Sequence, residues 1–164
     1  MTGARSRAVA LAVVVALAAV GAALPTSRAL VVRDAETGRT LLTVPVSEGS
    51  VVVLSYTHSV EKSPVEDVYR VRGDALDMTS TRFESYGWGL PAGADVHVED
   101  GAFVYDPDWS GRRLRVATGY VAQHRLTVDG REYDLVDLAD GGSVVITVER
   151  RSAVASAFAP SRGA

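Results

Sequence analysis

Ser50-Val-Val-Val-Leu-Ser-Tyr-Thr-His-Ser-Val-Glu-Lys-Ser-Pro-Val-Glu-Asp-Val-Tyr-Arg-Val71 is the stretch on which the fold turns. An apolar, β-branched run from Ser50 to Thr57 enters it, and a run from Val65 to Val71 leaves it alternating apolar with polar. Such residues suit a pleated, half-buried surface, and alternation puts one side-chain set on each face. Between them sits a polar knot holding a histidine and glutamates. The reading is two strands joined by a polar turn, the densest cluster of chemically able side chains in the chain.

The same signature repeats on both sides. Short runs cover Leu30 to Arg33, Arg39 to Val46, Leu76 to Glu84, Ala102 to Tyr105, Arg113 to Thr118, Arg125 to Val128, Tyr133 to Leu138 and Ser143 to Glu149. Glu36-Thr-Gly38, Ser47-Glu-Gly49 and Arg72-Gly-Asp74 separate early runs with turn chemistry, and Asp100-Gly101, Asp129-Gly130 and Asp140-Gly-Gly142 read as hairpin-type turns. Beyond residue 29 no window carries a 3.6-residue period. The expected fold is all-β, a single antiparallel β-sandwich or open barrel of about ten short strands.

The N-terminus differs. Met1 to Arg7 has two arginines and no acid, and Ala8 to Leu24 is free of charge. Small residues at Gly21-Ala22-Ala23 and Ser27-Arg28-Ala29 offer cleavage sites, so residues 1–29 read as a secretory leader. An apolar core of about 17 residues is at the short limit for spanning a bilayer, which leaves an uncleaved anchor as the rival. Either places the domain, 30–150, outside the cytoplasmic membrane, secreted or anchored to its outer side. The small-residue tail, 151–164, reads as disordered.

The net charge is −3, and removing Arg5, Arg7 and Arg28 with the leader makes the rest three charges more negative. A mildly acidic domain is a poor binder of phosphate backbones, so nucleic acid is not an expected partner. With no cysteine there is no disulfide, thiolate nucleophile or zinc-thiolate site, and no cofactor is expected.

Several residues invite chemistry. On a strand His58 shares a face with Leu54 and Tyr56 while Ser59 points away, so the two cannot form a nucleophile–base pair. If the flanking strands close around Lys62, His58 faces Glu66, Tyr56 faces Val68 and Leu54 faces Arg70. A carboxylate there would orient the imidazole. His58, His97 and His124 lack the paired spacing of a zinc site. Asp106-Pro-Asp108-Trp-Ser110-Gly111 matches the opening of a calcium loop, but Ala117 stands where the bidentate glutamate belongs. Tyr86-Gly-Trp-Gly-Leu-Pro-Ala-Gly-Ala94 resists a strand reading. Its glycines and aromatics suit a long loop, either pinned to the core by Trp88 or facing a ligand.

Two of these segments together resemble a family of unknown function, DUF1850. Its blocks read Tyr-x-His-Ser-Val-Glu-x-x-Pro-Val-x-Glu and Phe-x-Ser-x-Gly-x-Gly-Leu-Pro. Here they correspond to Tyr56, His58, Ser59, Val60, Glu61, Pro64, Val65 and Glu66, followed by Asp67, and to Phe83, Ser85, Gly87, Gly89, Leu90 and Pro91. The second glutamate directly follows Val65, one position early. The resemblance implies a small leader-bearing protein, often encoded beside TAXI-type TRAP transporters. It also implies a non-enzymatic accessory role in solute transport, with the receptor or permease as partner. Tyr56, His58, Ser59, Glu61, Glu66, Gly87, Trp88, Gly89 and Pro91 are the candidate binding residues, with no catalytic residue assigned. The competing expectation is a small hydrolase or lyase using His58 with Glu61 or Glu66 as acid and base.

Overall fold

The computed structural model describes residues 27–84 and 96–151. The N-terminal hydrophobic helix, the Tyr86–Ala94 segment with Gly87, Trp88, Gly89 and Pro91, and the tail from 152 lie outside the described residues. Twelve strands and one short helix are found among those described. Arg28–Arg150 make one compact unit.

The strands form two antiparallel sheets rather than a closed barrel. The smaller runs β2–β1–β12–β9, with β1 at Ser27–Asp34, β2 at Thr40–Val46, β9 at Arg113–Ala117 and β12 at Ser143–Arg151. The larger runs β11–β10–β3–β4–β5–β7–β6, with β8 also on β5. Its members are β3 (Val51–Thr57), β4 (Pro64–Arg72), β5 (Ala75–Phe83), β6 (His97–Glu99), β7 (Ala102–Tyr105), β8 (Trp109–Gly111), β10 (Arg125–Val128) and β11 (Arg131–Asp134). Inward residues from both sheets, among them Leu30, Val32, Val144 and Ile146 from one and Val52, Leu54, Val71 and Leu126 from the other, make one core. That shared core is what a sandwich is.

Turn chemistry explains much of the order. Asp100-Gly101 and Asp129-Gly130 take positive φ at both residues, the geometry of tight hairpins, and close β6–β7 and β10–β11. Asp140-Gly141 has the same left-handed pair but a different use. It ends a helix, α1 (Leu135–Ala139), with the Gly141 N–H donating to the Val136 carbonyl. The run Tyr133 to Leu138, expected as strand, therefore splits: Arg131–Asp134 is β11 and the helix starts at Leu135. The Asp134 carboxylate accepts from the Val136 and Asp137 N–H groups, a helix N-cap that overrides local strand propensity. Five residues are too few to show a helical period.

One irregularity positions everything that follows. Tyr69 pairs with Met78 but Val68 pairs with Ser80, so Thr79 is an extra residue, a β-bulge, in β5. Its hydroxyl donates to the Val68 carbonyl at 3.2 Å. The bulge lets Met78 and Thr81, an odd number of positions apart, share the face of Tyr69 and Asp67.

Candidate functional site

The first result at the site is a correction of register. In the β3–β4 hairpin Ser55 faces Glu66, Tyr56 faces Val65, and Leu54 faces Asp67. The pairing around Lys62 that would set His58 against Glu66 does not form. Strand β3 ends at Thr57, and His58 opens the turn. The His58 N–H donates to the Ser63 carbonyl, and the Lys62 N–H donates back to the His58 carbonyl, both at 2.9 Å. The His58 ring caps this single turn: its Nδ1 accepts from the Glu61 N–H at 3.2 Å. Lys62 takes φ of 56°, which reverses the chain into β4. The turn is centred between Val60 and Glu61 rather than on Lys62, and that is why the register differs from the expected one. Ser59 is exposed on the turn and Glu66 on the outer face of β4.

Shifting register by an odd number exchanges the faces. In β4 it is Val65, Asp67, Tyr69 and Val71 that turn inward, all buried. Counted along the family block, its last acid falls on Asp67, and Asp67 carries the inward carboxylate. Opposite residues on neighbouring antiparallel strands share a face, so the register reads off two rows across the larger sheet. One runs Leu126, Leu54, Asp67, Thr81, Tyr105. The next runs Tyr56, Val65, Phe83, Phe103, Val98.

These rows bring a defined set of groups together. The Thr81 hydroxyl donates to Asp67 Oδ1 at 2.8 Å, and the Tyr56 phenol lies near enough to favour the same carboxylate. Burial pushes the Asp67 pKa up, against the pull of those two groups. Burial, followed by the nearby Asp67 charge, raises the Tyr56 phenol to about 12, so it remains a donor. Tyr69 is raised by the same causes. Phe83 stacks on Phe103 with centroids 5.6 Å apart and meets Tyr105 edge-on at 6.3 Å. His124 stacks on Tyr56 at 5.2 Å and 22°. Its Nδ1 is buried with no hydrogen-bond partner among the described residues, and burial lowers its pKa.

Elsewhere the candidates separate. His97 is exposed on β6, remote in register from His58. The Asp106–Gly111 segment does not close as an ion loop. Trp109–Gly111 pair with β5 as a strand, the Ser110 hydroxyl donates to Asp77, and Trp109 packs edge-on against Tyr69 at 5.8 Å. Among the described residues no three His, Asp or Glu side chains gather as metal ligands would. The structure thus unites Tyr56 with Asp67, Thr81 and His124. It disperses His58, Glu66 and Ser59 along a turn and an outer face. A signal for Asp67 was present, since it occupies the inward phase of Val65-x-Asp67-x-Tyr69-x-Val71.

An all-β sandwich whose inner face carries, among the described residues, one buried carboxyl group beside aromatic rings is the class that fold and site define. Residues 52–135 match the family model described as a domain of unknown function, DUF1850, and the chain belongs to that family. No curated protein and no solved structure matches it.

Proposed function

We propose that the domain is a non-enzymatic, extracytoplasmic binding module that serves a TAXI-type TRAP solute-uptake system. The observation that supports binding over bond-breaking is how the family block commits its polar groups. His58 Nδ1 is held by the Glu61 N–H, and the Asp67 carboxyl group is held by Thr81. Among the described residues the His58 ring nitrogen is taken up by a backbone N–H, and the hydroxyl that donates to Asp67, that of Thr81, is buried rather than open to a substrate. His58 and Asp67 instead fix a hairpin whose end presents side chains to solvent, with Val60 65% exposed. The TRAP setting comes from the family resemblance.

Co-purification tests it. The tagged full chain, expressed in its own cells, is expected to retain the receptor or permease encoded beside it. Recovery of neither, from cells producing both, counts against the reading. A turnover of esters, amides or glycosides that is abolished by His58→Asn would favour the acid–base alternative.

A further inference from the structure

Five large apolar side chains are exposed among the described residues, and three of them sit on two turns that touch. Val60 is at the tip of the β3–β4 turn. Tyr120 and Val121, 65% and 68% exposed, are on the loop between β9 and β10. The Thr57 N–H donates to the Ala122 carbonyl at 2.8 Å, which ties the loop to the base of the hairpin turn. The His124–Tyr56 stack ties them a second time.

Neither turn is a loose strap. The β3–β4 turn is closed by the three hydrogen bonds of His58. The loop is closed by Gln123 N–H to the Gly119 carbonyl at 3.2 Å. Tyr120 is pinned outward: its hydroxyl donates to Asp140 Oδ1 at 2.8 Å, and its ring lies so close over Gly141 that an added Cβ would be 2.6 Å from it. Apolar groups held rigidly in water gain nothing for the isolated domain, whereas a partner that covers them meets little ordering cost. The surroundings are acidic. Asp137 and Asp140 are exposed, and the Tyr120 pKa is raised first by its hydrogen bond to Asp140 and further by the charges of Asp140 and Asp137. Lys62 is the single lysine or arginine on the two turns. An anionic lipid surface would be repelled by such a rim, while a protein face with lysines or arginines around an apolar hollow complements it.

We infer that Val60, Tyr120 and Val121 form one docking knob for a partner protein whose apolar hollow is bordered by basic side chains, with Asp137 and Asp140 supplying the matching charge. This deepens the binding reading above by naming its surface.

The test is site-specific photocrosslinking of the full chain in its own cells. A benzophenone amino acid replaces Val60, Val121 or, as control, the exposed Arg39. One protein adduct of defined mass is expected from Val60 and Val121 and none from Arg39, with its yield falling about tenfold in Asp137→Asn/Asp140→Asn at unchanged chain level. Mass spectrometry should map the partner's crosslinked peptide beside lysine or arginine. If that partner is neither receptor nor permease, the knob stands and the TRAP setting falls. No adduct, a lipid adduct, a second copy of this chain, or an adduct indifferent to the two aspartates overturns the knob itself.

Discussion

Asp67 is the one buried carboxyl group among the described residues. A carboxyl group at this depth is tolerated because the Thr81 hydroxyl donates to it and the Tyr56 phenol lies nearby, and burial still holds its pKa above the ordinary value. The sign of its effect follows. Its share of folding stability is fully present below the unfolded pKa, about 3.9, and is lost as pH rises through the raised folded value. Asp67→Asn removes that ionisation. Wild type is therefore expected to lose melting temperature relative to the variant as pH climbs out of the acid range, with a constant difference beyond it. A difference that stays flat from acid to neutral pH would contradict the burial of the charge. His124 acts in the opposite sense. Its pKa is lowered by burial, so its share of stability is present above about pH 6.5 and is lost as pH falls through the depressed value. His124→Phe keeps a ring against Tyr56 and should abolish that loss, which thermal melts between pH 5 and pH 8 would read (about the range in which histidines titrate).

At the scale of elements, the bulge at Thr79 and the turn at His58 decide what faces what. Deleting Thr79 would remove the bulge and leave the pairs Val68–Ser80, Asp67–Thr81 and Val65–Phe83 in regular register, so Thr81 and Phe83 should stay inward. The cost should be that of one lost hydrogen bond, about 1 kcal/mol, read as a small fall in the urea midpoint. A deletion that collapses the midpoint would mean that the sheet needs the bulge itself. Gly141 is a smaller test of the same kind. At φ of 72°, under the Tyr120 ring, Gly141→Ala should cost at least 1 kcal/mol or so and displace that ring. Both features also mark where sequence reading stopped. Runs, hairpin dipeptides and the sandwich class are local properties, and Asp100-Gly101 and Asp129-Gly130 could be read as hairpins directly. Register is not local. The His58 turn is one of several lengths compatible with its residues, and the extra residue in β5 has no compositional mark, because Thr79, Ser80 and Thr81 all suit a strand. Asp140-Gly141 shows the limit from the other side: one left-handed pair serves a hairpin or a helix end equally.

Across the whole molecule, the candidate site moves from the hairpin tip toward the inner face, and the tip becomes a surface. Tyr56 was legible in the family block. Asp67, Thr81, Tyr105 and His124 come from four further strands or loops, and only the register of the larger sheet assembles them. Glu66 was singled out because it follows Val65, yet alternation gives the inward phase to Asp67. The central claim is that the block holds and presents a binding surface rather than performing chemistry. His58→Asn isolates it, because asparagine keeps a side-chain acceptor for the Glu61 N–H while removing the imidazole. The measurement is TRAP-dependent solute uptake in cells lacking the chain, complemented with wild type or with His58→Asn. Deletion should depress uptake, and the variant should restore it to within about twofold of wild type, since a preserved turn preserves the surface. Uptake that ignores the deletion, or that is lost with a folded variant present at wild-type level, would contradict the account.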